Sequence, residues 1–447
     1  MATSGQVLIN KSTVRKRDPF GAFFWLSAFY LVYCARPEDW IPGLKYLPLP
    51  LAKVTGVLAF LTLLGTLGKT KRGFRDLPRE ARYLLVMVCL LFVSAVFSPL
   101  WRGGAFFHTL DFSKVIVAWV LTFVLVTDFE KFRRIIFIQS GSVAVIAAIS
   151  TLKSRSHERL EGVLGGIYSN PNDLAFAIVL SLPFCLAFLL STPKGLRKAG
   201  WLFFMLIMAA ALFLTASRGG FVTFVVAGTI CLWHFGVKGR RFYLIAVVGC
   251  VGMLLLVVAG GRLKDRWFAL SDRGLETRFE NSAYGSFEER RYLIIKSLEG
   301  IEHYPVLGVG MHNFGNYSGK WKDVHVAFLQ IAVEGGIPVL FLYLMFFARG
   351  FSNLRKIRRM RLPDREVTLF VGALHSSLVG FVVGALFAPE AYQYFPYFIV
   401  AYTSVLLAIV EEKENPAAPA TTVLSRPQRF SKVVVTDGRS GVFPHVR

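Results

Sequence analysis

Residues 174–191, LAFAIVLSLPFCLAFLLS, decide the fold, because this run contains no charged side chain. A membrane-spanning helix needs about 20 mostly apolar residues, and about twelve runs of this kind occur along the chain. The chain has 447 residues, 54% of them hydrophobic, and a mean hydropathy of +0.52, which is too apolar for a soluble protein. The sequence therefore predicts an all-α polytopic membrane protein with about twelve transmembrane helices.

The predicted spans are the runs 20–35, 51–68, 83–98, 114–127, 135–151, 174–191, 201–217, 221–235, 242–260, 326–347, 367–388 and 392–410. They predict five parts of the chain. These are a cytoplasmic N-terminal segment (1–19), spans one to nine (20–260), an extracytoplasmic loop (261–325), spans ten to twelve (326–411) and a disordered cytoplasmic tail (412–447).

The net charge of +23 is spread along the chain in clusters between the apolar runs. A nucleic-acid-binding face would instead gather Lys and Arg into one patch, so no nucleic-acid partner is expected. With a cytoplasmic N-terminus, the clusters at 11–17, 69–82, 131–134, 194–198, 238–241 and 349–365 all fall on the cytoplasmic side. This positive-inside pattern predicts that both termini are cytoplasmic and that the loop 261–325 lies outside.

The outer loop is predicted to carry an amphipathic helix over 287–303. Apolar residues Tyr292, Ile295, Leu298 and Ile301 recur at helical spacing, as in a helix lying on a membrane surface. The helix is expected to end near Pro305, and the Gly-rich stretch that follows indicates a loop.

Arginines at the outer ends of spans are the first candidate site residues. A cation at that depth is costly unless it is paired or binds an anion, and two guanidinium groups suit a pyrophosphate. Arg218, Arg290 and Arg291 are the candidates, and Gly219–Gly220 would let the backbone approach a ligand. The alternatives are that Arg218 snorkels to the interface and that Arg290 or Arg291 lies on a solvated helix face.

His325, before the tenth span, is the candidate general base, because a neutral imidazole can take a proton from a hydroxyl. It is equally suited to cap that span. His303 and His312, in the loop, compete for the same role.

The segment EGVLGGIYSNPND, 161–173, precedes the sixth span and places Asn170 and Asn172 at a possible substrate entrance, although turn chemistry explains them equally well. Asn172 or Asp173 is the predicted N-cap of that span. Glu334, before Gly335–Gly336–Ile337–Pro338, predicts a break in the tenth span. Motifs for ATP hydrolysis and acidic pairs for a metal are absent from the sequence, so neither chemistry is expected.

Four segments in a fixed order give the chain a resemblance to a known family. They are GGIYSNPNDLAFAIVLSLP, LTASRGGFVTF, ERRYLIIKSLEGIEHYPVLGVGMHNF and VHVAFLQIAVEGGIPVL. Together they resemble the O-antigen ligase and O-antigen polymerase superfamily of bacterial membrane glycosyltransferases. The resemblance covers roughly 165–340 in motif and most of the chain in topology.

The resemblance implies a GT-C type architecture in the bacterial inner membrane, with the active site on the outer side. It implies an undecaprenyl-diphosphate-linked glycan as donor, a hydroxyl of a glycolipid, glycan or protein as acceptor, and an inverting reaction without cofactor or metal. Arg218 and Arg290, with Arg291 as a neighbouring candidate, would hold the diphosphate, and His325 would activate the acceptor. Family members often have Asn after this histidine, where this chain has Val326.

Three functions are compatible with these features. A ligase that transfers the glycan to another acceptor is preferred, and a polymerase of the same superfamily is the first alternative. A secondary transporter is the alternative from a different class, since it has a similar number of spans. Transporters usually show internal inverted repeats and interrupted helices near the midplane, and neither pattern is clear in the sequence.

Overall fold

The computed structural model describes residues 21–46, 50–66, 70–153, 160, 168, 170–193, 195–259, 278–360 and 364–414. The predictions for segment 1–19, for most of the tail 412–447 and for the first part of the loop 261–325 lie outside the described residues.

All regular structure in these ranges is helical. The α-helices are α1 (Ala22–Ala35), α2 (Pro37–Trp40), α3 (Leu51–Leu64), α4 (Arg79–Val96), α5 (Arg102–Leu125), α6 (Phe129–Lys153), α7 (Pro171–Ser191), α8 (Leu196–Leu214), α9 (Arg218–Leu232), α10 (Tyr243–Ala259), α11 (Arg278–His303), α12 (Phe314–Ser318), α13 (Ala327–Gly335), α14 (Ile337–Arg359), α15 (Arg365–Gly384) and α16 (Tyr394–Glu414). A π-helical turn, Trp233–Val237, extends α9.

Helices occupy all twelve predicted runs, but within the described residues only eight are long and apolar enough to cross a membrane by length and composition. These eight are α5 to α9 and α14 to α16, while α1 and α3 are shorter apolar helices. A polytopic membrane protein is therefore supported, and the count of twelve spans is not established. The helix over the fourth predicted run starts earlier than that run, because α5 begins at Arg102.

The centre of the bundle is formed by α7, α15 and α16, whose residues are mostly buried. An aromatic cluster joins these helices to α14. The ring of Phe347 lies 4.3 Å from that of Phe381 and 5.8 Å from that of Tyr397, between ring centroids. Such contacts are important in a membrane, because the hydrophobic effect does not drive helix association among apolar lipid tails. Close van der Waals packing holds the helices together instead.

The tenth apolar run is interrupted, as predicted from Glu334 and the residues after it. Helix α13 ends at Gly335, Gly336 adopts a positive φ of 84°, and α14 starts at Ile337. The loop before α12 fills the break. The N–H groups of Val309 and Gly310 donate to the carbonyls of Val333 and Glu334, both at 2.9 Å. The freed backbone groups are thus satisfied by protein, the condition for irregular backbone at membrane depth.

The loop helix α11 ends at His303, as expected from Pro305. Its buried side includes Leu293 and Ser297, and Leu293 packs in a small core with Val333 of α13. Ile295 and Leu298, from the predicted apolar stripe, are each 54% exposed. An exposed apolar side beside a buried one fits the prediction that this helix lies along a membrane surface.

Candidate functional site

The start of α7 brings the Asn-Pro-Asn segment to the site. Asn170 is the N-cap, because its side-chain oxygen accepts a hydrogen bond from the N–H of Asn172 at 2.9 Å. The predicted cap at Asn172 or Asp173 is therefore wrong. Pro171 occupies the first helical position, where its missing N–H costs nothing and its fixed φ favours the helix.

The start of α9 is joined directly to the start of α7. The hydroxyl of Ser217 accepts from the N–H of Gly220 at 3.1 Å, capping α9, and donates to the side-chain oxygen of Asn172 at 2.7 Å. Asn172 therefore supports the segment that carries Arg218, and it does not line the cavity described below.

The two glycines after Arg218 serve packing within the protein. A Cβ added at Gly219 would lie 2.7 Å from the Cβ of Phe387, and one at Gly220 would lie 2.7 Å from the Cβ of Ala175. We expected these glycines to let the backbone approach a ligand. In the structure, their lack of a side chain allows close contact with α7 and with the segment 385–393. This contact fixes the direction in which α9 begins.

Arg218 and Arg290 form a pair of like charges that has no acidic partner among the described residues. Arg218 is the first residue of α9, and Arg290 lies on α11. Both are partly buried, and the buried Nη1 of Arg218 and Nε of Arg290 have no hydrogen-bond partner among the described residues. Burial, and then the positive charge of Arg218, lower the pKa of Arg290. Neither side chain forms an ion pair in the described part of the chain, so the pair provides unused donors for an anion.

Arg291 differs from its neighbour in position. It is exposed on α11, whereas Arg290 is partly buried and interacts electrostatically with both Arg218 and His325. The structure thus brings Arg218, Arg290 and His325 together and leaves Arg291 outside that group.

His325 precedes α13 and does not cap it, because the N-cap is Val326, which forms no side-chain capping bond. The Nδ1 of His325 lies 3.1 Å from the carbonyl oxygen of Asp323. Since a carbonyl only accepts, Nδ1 carries the proton and Nε2 is left with its lone pair. Burial and the charge of Arg290 lower the pKa of His325, which keeps the imidazole neutral near pH 7.

The Nδ1 of His312 lies 3.9 Å from a carboxylate oxygen of Asp323. Its ring contacts those of His108 and Tyr392 at tilted angles of 45° and 41°, with centroid distances of 4.6 and 5.6 Å. Burial lowers the pKa of His312. The third candidate, His303, is exposed and its Nδ1 lies 2.8 Å from a carbonyl of its own helix, so it is separate from the site.

A polar cavity of about 250 Å³ opens beside His312. Its lining comes from the start of α7, the loops before α12 and α13, α13 itself and the segment 385–393, and comprises Asn170, Asp173, His312, Asp323, Gln330, Pro389, Tyr392 and Gln393. The structure therefore places two of the predicted lining residues, Asn170 and His312, at one cavity. The side-chain oxygen of Gln330, a residue only 1% exposed, is buried there without a partner.

Several residues around this cavity were missed from the sequence, among them Asp173, Asp323, Glu390 and Tyr392. The buried Glu390 lies next to Asp173, and burial together with the charge of that carboxylate raises the pKa of Glu390 well above its usual range. A carboxyl group at the end of an apolar run was the available signal, because such groups are costly at the membrane unless they serve a purpose.

These features combine a pair of arginines with unused donors, a neutral histidine and a cavity rich in hydrogen-bonding groups at one end of a helical bundle. Such a set can hold an anionic group and a hydroxyl-bearing molecule side by side, which is typical of a transferase acting at a membrane.

Comparison with known proteins agrees with this class. Residues 203–344 match a family model described as Wzy_C, O-Antigen ligase. The match confirms the resemblance to the O-antigen ligase superfamily, and it contains Arg218, Arg290, His325 and the break at Gly336. It supports a membrane enzyme of the O-antigen ligase or polymerase type, which implies lipid-linked glycan substrates. No curated protein sequence matches the chain.

Proposed function

We propose that this protein transfers a glycan from an undecaprenyl-diphosphate carrier to a hydroxyl acceptor at the outer face of the bacterial inner membrane. The observation that carries the proposal is the partly buried pair Arg218 and Arg290, which have unused donors and no acidic partner in the described part of the chain. A diphosphate supplies the missing charge and accepts bidentate hydrogen bonds from guanidinium groups. The acceptor is the lipid A-core, another glycolipid or a protein.

The donor diphosphate would sit at the start of α9, where the helix N-terminus adds a partial positive charge to that of Arg218. In the reaction, the acceptor oxygen forms a bond to the anomeric carbon while the bond from that carbon to the diphosphate oxygen breaks. Attack from the face opposite the leaving group inverts the anomeric configuration. Arg218 and Arg290 offset the charge that develops on the departing diphosphate.

His325 would take the proton of the acceptor hydroxyl at Nε2. The bond from Nδ1–H to the carbonyl of Asp323 sets this tautomer, and the lowered pKa keeps the base unprotonated. We assign the acceptor to the cavity beside His312, because carboxylate and amide oxygens such as those of Asp173, Asp323 and Gln330 accept hydrogen bonds from sugar hydroxyls.

Two alternatives remain. A polymerase would use the same donor site and differ in taking a second lipid-linked glycan as acceptor. A secondary transporter is favoured by one observation, the interruption between α13 and α14, since broken helices are frequent at transport sites.

The test is an assay with purified protein, an undecaprenyl-diphosphate-linked glycan and candidate acceptors in the presence of EDTA, following release of the lipid diphosphate. Acceptor-dependent release that survives EDTA and is lost in His325→Ala, but not in His303→Ala, supports a metal-independent transferase. The acceptor that is consumed separates ligase from polymerase. No release with any acceptor, combined with glycan movement across liposomes, would indicate the transporter.

A further inference from the structure

A second cavity, of about 580 Å³, lies at the opposite end of the helix bundle. The length of helix α4 gives the approximate distance between the two cavities. Near the end of α4, the Ser94 hydroxyl donates to the carbonyl of Glu334 at 3.0 Å, next to the break between α13 and α14. Glu80, in the first turn of α4, lines the second cavity. At 1.5 Å per residue, roughly 20 Å of helix separates Glu80 from Ser94. We call this second space the far cavity.

Arg72 forms one wall of the far cavity, with a side chain that is only 5% exposed. Its Nε donates to a carboxylate oxygen of Glu412 at 2.7 Å, and its Nη1 donates to the carbonyl of Val126 at 3.0 Å. The third nitrogen, Nη2, is buried and has no hydrogen-bond partner among the described residues. Arg72 is thus fixed in place with one donor unused.

Glu80 forms the opposite side and is 1% exposed. Its Oε1 accepts from the side-chain amide of Asn353 at 2.7 Å, while Oε2 is buried and has no partner in the described ranges. The Nε of Arg349 is 3.6 Å from Oε1, which is too far for a hydrogen bond, and no other described residue pairs with this Nε. The cavity therefore has unused guanidinium donors and an unused carboxylate acceptor, each costly to bury unsatisfied.

The charges around the cavity restrict the ligand. Lys71, Arg72 and Arg349 face Asp76, Glu80, Glu411 and Glu412. A simple anion would meet more negative than positive groups, and a simple cation would leave the guanidinium donors unsatisfied. A ligand with both an anionic acceptor and a cationic donor satisfies all three unused atoms. The volume admits a group of several heavy atoms.

We propose that the far cavity binds a phosphoethanolamine headgroup. The phosphate oxygens accept from Arg72 Nη2 and Arg349 Nε, and the ammonium donates to Glu80 Oε2. The cavity lies beside the start of α4, at the ends of the long apolar helices α5 and α16, where bilayer headgroups are found. Phosphatidylethanolamine of the bilayer is therefore the expected source. This site is independent of the transfer reaction proposed above.

The test uses the full chain in lipid nanodiscs and native mass spectrometry to measure bound lipid. Phosphatidylethanolamine should bind at least about tenfold more tightly than phosphatidylcholine, whose ammonium has no N–H to donate, or phosphatidylglycerol, which has no cation. Arg349→Gln should reduce phosphatidylethanolamine binding about tenfold. The matched control is Arg355→Gln, which removes the same charge from an exposed position of α14 outside the cavity and should change nothing.

A second arm adds soluble phosphoethanolamine to the protein in detergent. Displacement of bound lipid would confirm recognition of the headgroup, while retention of phosphatidylethanolamine against excess competitor would show that the acyl chains also bind. If Arg349→Gln proves unstable, Glu80→Gln serves as the second variant and should lose the preference for ethanolamine over choline. Equal binding of the three lipids, or unchanged selectivity in both variants, would overturn the proposal.

Discussion

Replacing Arg290 by Gln tests the central feature of the proposed active site. Its Nε is buried without a hydrogen-bond partner among the described residues, and the charge that lowers the pKa of Arg290 is the like charge of Arg218. If Arg290 acts on charge that develops on the leaving diphosphate, the loss should resemble the removal of one donor from an oxyanion site. That loss is about 10²–10³ in kcat, or about 2.7–4 kcal/mol.

The same change should not destabilise the protein. Arg290→Gln removes a partly buried, unpaired cation and its repulsion with Arg218, so the thermal midpoint in detergent should stay constant or rise. Arg290→Lys should restore little activity, because an ammonium lacks the planar fork of the guanidinium group. Arg291→Gln is the matched control, being the adjacent exposed arginine, and should keep nearly full activity.

The assay is release of undecaprenyl diphosphate under single-turnover conditions, with the midpoint of each variant measured in parallel. An Arg290→Gln variant that keeps more than about a third of wild-type activity would refute the role assigned to the guanidinium group. A variant that loses activity only together with thermal stability would show that Arg290 holds the structure instead.

Three further predictions concern other parts of the site. First, kcat/KM should stay constant as the pH is lowered past the ordinary histidine pKa of 6.5 and should fall only at lower pH, because His325 acts unprotonated and its pKa is lowered. In Arg290→Gln this fall should move to higher pH, because the charge of Arg290 contributes to the lowered pKa of His325. A pH profile that the variant leaves unchanged would contradict this coupling. Second, Gly336→Ala should lower the thermal midpoint much more than Gly319→Ala. Both glycines have a positive φ, but only a Cβ at Gly336 would clash, at 2.2 Å from the carbonyl oxygen of Val306. Equal shifts of the thermal midpoint in heated detergent samples would refute the steric argument. Third, Ser217→Ala should cost about 1 kcal/mol of stability by removing the cap of α9. The control Ser113→Ala loses only an exposed hydrogen bond to its own helix and should cost less. Equal losses of stability in parallel unfolding scans would contradict the capping role of Ser217.

The residues predicted for the site divide according to the kind of signal they carry. Arg218, Arg290 and His325 could be selected because charged and titratable groups at span ends are conspicuous in an apolar sequence. The choice between Arg290 and Arg291 could not be made, since adjacent residues on a helix differ in direction by about 100°. The role of Gly219 and Gly220 was misread, because their neighbours Phe387 and Ala175 come from other helices and loops.

The sequence by itself determined that the chain is an all-helical membrane protein and where its apolar runs lie, because the length and composition of a span are local properties. It also determined the break after Glu334, since glycine and proline act on the backbone at their own positions. Only the tertiary structure decided that the start of α7, the loops before α12 and α13, α13 itself and the segment 385–393 meet at one polar cavity, and that the start of α9 joins the start of α7. The contacts that bring them together, such as Ser217 with Asn172, join residues distant in the chain, and no local pattern specifies such pairs.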